Sequence, residues 1–143
     1  MVTKKYILFF FLIVLNTLYA NYAFKKKVKS VCSSYRIKVE SSQFQLEPNE
    51  FSINLESGRN DFEMYMLVGF ASAGQAISHQ KQLGLSNAYT PKNIIVSVSV
   101  PISKGDFNTF IASCESEVAI SLANGALDSS EFMQNIMKNM EIQ

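Results

Sequence analysis

The pattern of apolar and polar positions predicts one long helix near the middle of the chain, over residues 60–84. Apolar and small residues recur there at helical spacing, and one face consists of Phe62, Met66, Gly69, Phe70, Ala73 and Ile77. Asn60 and Glu63 have the spacing of a capping box at the start of this helix, and Gly84 has the position of a C-terminal stop. We therefore predict that this helix is the central element of the core.

A narrow polar stripe runs along the same helix and consists of Tyr65, Ser72, Gln75 and His79. One hypothesis makes this stripe a ligand-facing surface, and the alternative makes it the solvent-facing side of a core helix. His79 is the only histidine in the chain. It is the one candidate catalytic residue, and proton transfer by it requires a carboxylate that the fold brings near.

Strict alternation of apolar and polar residues predicts strands over residues 35–40, 51–56 and 93–102. The last of these has the clearest pattern and is rich in β-branched residues, which favour strands. Residues 107–113 fit either the return strand of a hairpin or the start of a helix. We favour the hairpin, because the turn at Gly105 directly follows a strong strand.

Two short helices complete the predicted elements, one over residues 114–123 and one that starts at Asp128. Strands that are adjacent along a chain usually pair antiparallel. The sequence therefore predicts an α+β fold, in which a small antiparallel sheet is packed by one long central helix and two short C-terminal helices. This single domain is expected to cover residues 35–143.

The N-terminal segment has the three-part layout of a secretory signal peptide over residues 1–20. Lys4 and Lys5 precede a continuous apolar stretch, and Ala20 closes the better of two cleavage sites. The chain is then expected to begin at Asn21 and to be exported, into the periplasm or the extracellular space. The alternative is an uncleaved inner-membrane anchor over residues 6–24.

Residues 21–34 form a basic, serine-rich lead-in, and the lysines are Lys25, Lys26, Lys27 and Lys29. Membrane contact through residues 6–29 is the functional hypothesis for this run. The alternative is a solvated flank. Removal of residues 1–20 would take Lys4 and Lys5 from the 13 basic residues and leave 11 against 12 acidic ones, so the total charge argues against a nucleic-acid partner.

The two cysteines, Cys32 and Cys114, predict a disulfide, because an even and small number of cysteines in an exported chain favours pairing. The alternative is two unrelated buried thiols. The sequence contains no zinc-ligand pattern, no phosphate-binding loop and no nucleophile elbow. We therefore expect no metal and no cofactor.

These observations together favour a small exported, non-catalytic binding or assembly module of the cell envelope, with another envelope protein as its partner. Two alternatives belong to other classes of function. One is a small enzyme that uses His79 with a carboxylate, and the other is a membrane-tethered accessory subunit.

Overall fold

The computed structural model describes the backbone of residues 2–143 and the side chains of residues 7, 9 and 19–143. Its helices are α1 (Val2–Ser34), α2 (Phe62–Gln82), α3 (Ser116–Ala123) and α4 (Ser129–Met137). Its strands are β1 (Phe44–Leu46), β2 (Glu50–Glu56), β3 (Asn93–Ser103), β4 (Asp106–Glu115) and β5 (Glu141–Ile142). A short 3₁₀ turn, Ser41–Gln43, precedes β1.

The strands form one sheet in the order β1-β2-β3-β4-β5, and the helices pack against it. The α+β fold class is therefore confirmed. The sheet is not antiparallel throughout, because β2 and β3 run parallel, with Phe51 opposite Ile94. Parallel neighbours need a crossover connection, and α2 provides it. The sequence prediction went wrong at this pair because it treated strands that neighbour in sequence as hairpin partners.

One face of the sheet is buried under the helices. The buried side chains alternate along the strands and are Phe51, Ile53 and Leu55 of β2 and Ile94, Val96, Val98 and Val100 of β3. The register of β4 places Ala112 and Cys114 on this same face. Residues on the opposite face of β2, β3 and β4 are half-buried or exposed, and we call that side the open face.

α2 is the central element, with the sheet on one side of it and α1 and α3 on its two flanks. Gly69 lets α2 approach the sheet closely, because a Cβ atom there would lie 2.7 Å from Val96 Cγ1. Gly74 lets α3 approach, because a Cβ atom there would lie 2.6 Å from the carbonyl carbon of Ala119. The two glycines therefore serve two different packing contacts.

The second half of α1 belongs to the core, although residues 21–34 were expected to be only a basic lead-in. Its buried residues recur at helical spacing and are Ala20, Phe24, Val28, Val31 and Cys32. The ring of Phe24 packs edge-on against Phe51 and Tyr89, with centroid distances of 4.8 Å and 4.9 Å. Edge-to-face aromatic pairs of this kind contribute beyond the area they bury.

α1 ends in a Schellman motif, so residues 35–40 do not form the strand that their alternation predicted. Arg36 has φ 61°, its N–H donates to the Ser33 carbonyl, and the N–H of Ile37 donates to the Cys32 carbonyl at 2.9 Å. Ile37 and Val39 are buried, which accounts for the alternation. In the described sheet, however, this segment pairs with no strand.

The sequence correctly predicted how α2 ends. It did not correctly predict how α2 begins. Gly84 has φ 65° and follows the last turn as the expected stop. Asp61 rather than Asn60 occupies the N-cap position, and no side chain caps this end. The capping box predicted from Asn60 and Glu63 is therefore absent.

The hairpin interpretation of residues 107–113 is confirmed, because β4 pairs antiparallel with β3 and the turn between them contains Gly105 at φ 77°.

The last helix, α4, begins directly after Asp128, as the sequence predicted. The Asp128 carboxylate accepts hydrogen bonds from the backbone N–H groups of Ser130 and Glu131. These bonds satisfy two donors that have no partner within the first turn of the helix.

The predicted disulfide is wrong, because Cys32 and Cys114 are both free thiols. Cys32 lies at the end of α1 against Ser72 of α2. Cys114 lies on β4 beside Ala119 of α3. Ser72 and Gly74, which contact α1 and α3 respectively, point in directions about 160° apart around α2. The central helix therefore separates the two thiols.

The signal-peptide and anchor hypotheses concern residues 1–20 and 6–24, and most of those side chains lie outside the described residues. Two that are described, Ile7 and Phe9, are exposed. Among the residues that the structure describes, no helix is both long enough and apolar enough to cross a bilayer.

Candidate binding groove

The polar edges of α1 and α2 meet near the C-terminal end of α2 and enclose two cavities of about 310 Å³ and about 210 Å³. Both cavities have Lys27 and His79 in their walls. The larger one is further lined by Tyr19, Tyr22, Ala23, Lys26, Ser30 and Leu83, and the smaller one by Gln75, Ser78, Gln82, Ala123 and Asn124. We call the two cavities together the basic groove.

Helical periodicity explains why these side chains meet. Tyr19, Tyr22, Lys26 and Ser30 are three or four residues apart, so they form one edge of α1 next to its buried face. Gln75, His79 and Gln82 have the corresponding spacing on α2. Each helix buries its apolar face and presents its polar edge to the other at the surface.

The charge of the groove is positive. Among the described residues that line it, Lys26 and Lys27 are charged and none is acidic. The only ion pair in the described part of the chain is the exposed pair Lys38–Glu40, at 3.9 Å. The groove lysines therefore keep their charge available for a ligand. Tyr19 and Tyr22 add aromatic surface, and they are 56% and 62% exposed.

The enzyme hypothesis gains nothing from this geometry. It requires an Asp or Glu side chain beside His79, and neither cavity wall provides one among the described residues. Nor do the described residues contain a group of three side chains that could hold a metal ion. The groove offers positive charge, hydroxyls and aromatic rings.

The structure distributes the predicted polar stripe over three environments. Ser72 is fully buried beneath α1, and its hydroxyl donates to the Gly69 carbonyl at 2.8 Å. Gln75 and His79 lie in the basic groove. Tyr65 lines a separate cavity of about 320 Å³ near β2. The sequence analysis expected the whole stripe to face water or a ligand. The stripe is divided because α1 covers the part of α2 that contains Ser72.

A further cavity, of about 500 Å³, lies between the end of α2 and the start of α3. Its charged lining residues are Lys81, Lys92, Glu115 and Glu117, so it has no preference for one sign of ligand charge. The hydroxyl of Ser116 is already bonded to the Pro91 carbonyl. This cavity therefore carries no ligand assignment.

The buried polar groups near these cavities have structural partners. The Gln80 side chain is fully buried, donates to the Tyr89 carbonyl at 2.9 Å and accepts the Tyr89 N–H at 2.8 Å. The Tyr89 hydroxyl donates to the carbonyls of Glu47 and Glu50. Burial is the main cause that raises the pKa of Tyr89 above its ordinary value. These bonds hold the loop before β3 in place.

The sequence analysis missed Tyr19, Tyr22, Lys26 and Lys27 as groove residues. The signal that identifies them is the helical spacing that continues from Ala20 through the lysine run. The signal-peptide interpretation ended the element at Ala20, so the lysines appeared to be a solvated flank.

No protein-family model, no curated protein and no solved structure matches this chain. The fold and the groove themselves define its class. It is an α+β protein with one open sheet face and a basic groove between two helices.

Proposed function

We propose that this chain is a small non-catalytic binding module of the cell envelope, which docks an acidic protein surface in the basic groove. The observation that carries the proposal is the charge of the groove walls, where Lys26 and Lys27 face no carboxylate among the described residues. Tyr22, which is 62% exposed and remains after cleavage behind Ala20, is suited to a protein partner, because tyrosines are enriched at protein interfaces.

Export is retained as part of this proposal. The layout of residues 1–20, with a basic start, an apolar stretch and Ala20 at the cleavage position, supports it. Cleavage after Ala20 would leave Phe24, Val28 and Cys32 in the core, and Tyr22, Lys26 and His79 in the groove. Intact-mass measurement of the chain from expressing cells is expected to give Asn21 as the first residue, and an uncleaved chain would contradict export.

The binding proposal is tested with a fluorescent oligoglutamate peptide as the probe of an acidic surface. Anisotropy titrations are made at about 0.01 M and about 0.15 M salt, where the Debye length is about 30 Å and about 8 Å. The unmodified chain should bind the peptide and should bind it less tightly at the higher salt. The double variant Lys26→Glu with Lys27→Glu should raise the dissociation constant at least tenfold.

The matched control is Lys104→Glu with Lys138→Glu, which changes the net charge equally at two exposed lysines outside the groove. It should change the dissociation constant less than threefold. Equal weakening by both double variants would mean that total charge rather than the groove attracts the peptide. That result, or the absence of binding by the unmodified chain, would refute the proposal.

A further inference from the structure

The open face of the sheet carries negative charge only. No lysine or arginine occurs in any of the five strands, whereas Glu50, Glu56 and Glu141 are exposed there. Their register partners Asn93, Ser99 and Ile111 lie on the side away from the buried valines. Paired residues of neighbouring strands share a face. The glutamates therefore lie on the open face.

The part of α1 beside the groove carries positive charge only. Residues 19–34 include four lysines and no acidic residue. Within the described residues no ion pair joins these lysines to the glutamates of the sheet. Each set of charges is therefore available to another molecule.

The two charged surfaces lie on opposite sides of one chain. α1 packs on the helix-covered side of the sheet, through Phe24 on Phe51, and the open face is the other side. One copy therefore cannot bring its own glutamates to its own lysines. Two copies can do so, because the open face of one is complementary in charge to the basic groove of the next.

Each surface also carries an exposed aromatic ring, and the two surfaces are compatible in length. Phe107 of the open face is 56% exposed, and Tyr22 of the groove is 62% exposed. Residues 21–34 of α1, which remain after cleavage behind Ala20, are about 21 Å long at 1.5 Å per residue. The 11 residues of β3 span about 36 Å at 3.3 Å per residue. The helix segment thus fits within the length of the strands.

We infer that the open face of one copy docks on the basic groove of a second copy, so that this chain assembles with itself head to tail. This inference rests on the proposed function, since the basic groove is the same site and the partner is now specified. A contact between two different surfaces is heterologous, and it produces a ring or an open filament rather than a closed two-fold dimer.

The inference is tested by sedimentation velocity over a range of concentrations and salt, with protein from cells that express the full chain. The unmodified chain should associate, and raising the salt from about 0.01 M to about 0.15 M should weaken association, because exposed charges are then screened. The groove-reversed variant, Lys26→Glu with Lys27→Glu, should be monomeric. The sheet-reversed variant, Glu56→Lys with Glu141→Lys, should also be monomeric.

Mixing the two reversed variants provides the sharpest measurement. The acidic groove of one variant then meets the basic open face of the other, so an equimolar mixture should associate although neither variant does so alone. A mixture that remains monomeric would overturn the inference. If the sheet-reversed variant does not fold, as judged by its circular dichroism and melting curve, Glu50→Lys with Glu56→Lys replaces it.

The oligoglutamate titration separates the two proposals. The sheet-reversed variant keeps its groove and should bind the peptide at least as tightly as the unmodified chain. If the unmodified chain binds the peptide but stays monomeric, or if the sheet-reversed variant still associates, the self-assembly inference is wrong and the binding proposal stands. If the unmodified chain does not bind the peptide, the binding proposal fails, and the inference fails with it.

Discussion

At the residue scale, Gly69 and Gly74 show how the absence of a side chain fixes the packing of α2. The missing Cβ of Gly69 leaves room for the Val96 side chain, and the missing Cβ of Gly74 leaves room for the backbone of Ala119. A side chain can adjust its rotamer, whereas a backbone carbonyl moves only with its helix. The two positions therefore differ in how much an added methyl group costs.

We predict that Gly74→Ala lowers the free energy of unfolding by about 1–3 kcal/mol, the usual cost of overpacking. This cost outweighs the gain of up to about 1 kcal/mol from better helix propensity. Gly69→Ala should be less destabilising, because its neighbour is a side chain. Urea denaturation measures both. The control Gln75→Ala should stay within about 0.5 kcal/mol, and a Gly74→Ala variant as stable as the parent would contradict the packing described here.

The two buried thiols make the free energy of unfolding depend on pH above about pH 9. Burial raises the pKa of Cys114 to about 12 from its ordinary value of 9.0, and burial also raises the pKa of Cys32. Above about pH 9 the unfolded chain loses these protons while the folded chain keeps them. The folded state then binds more protons, so the free energy of unfolding falls as pH rises.

We therefore predict that the contribution of the thiols to the free energy of unfolding is constant below pH 9. The free energy of unfolding should then decline between about pH 9 and pH 12. The measurement is urea denaturation at a series of pH values. Cys114→Ala should flatten the decline, whatever its effect on stability at pH 7. Titration of the unfolded, unreduced chain should find two thiols. An unchanged slope in Cys114→Ala would show that the thiol does not cause the decline.

At the element scale, the buried residues in the second half of α1 make this segment part of the domain, which therefore begins before residue 35. We predict that Phe24→Ala lowers the free energy of unfolding by about 3–5 kcal/mol, as expected when a buried aromatic ring is removed. Tyr22→Ala is the matched control, because this ring is 62% exposed, and it should change stability by less than about 1 kcal/mol. Equal effects of the two variants in urea denaturation would place α1 outside the core.

The sequence was sufficient for elements whose local signals agree with their surroundings. β3 was predictable because Ile94, Val96 and Val98 alternate and a turn at Gly105 follows. Residues 35–40 alternate equally well and form no strand. The Schellman motif uses Arg36 where glycine is usual, so the end of α1 left no recognisable signal. Alternation of apolar and polar residues indicates that one side of a segment is buried. It does not predict a strand by itself, because a strand also needs a hydrogen-bonding partner that the local sequence does not reveal.

At the scale of the whole molecule, the formal net charge of +1 conceals a separation of charge. Four lysines lie within residues 19–34 of α1, and Glu50, Glu56 and Glu141 lie on the open face, on the other side of the sheet. The sequence shows the lysine run and the separate glutamates, but it does not show where they lie relative to one another. The same limit applies to the basic groove. His79 was a candidate from the sequence, but Lys27 became its neighbour only because α1 packs against α2.

The parallel pair of β2 and β3 has a consequence for synthesis on the ribosome. β2 emerges first, and its partner β3 follows only after α2, roughly 40 residues later, which takes about 2–8 s at about 5–20 residues per second. During that interval Phe51, Ile53 and Leu55 have no sheet partner on the β3 side. The nascent chain therefore presents an unpaired apolar strand edge, and its exposure to aggregation depends on the rate of translation through α2.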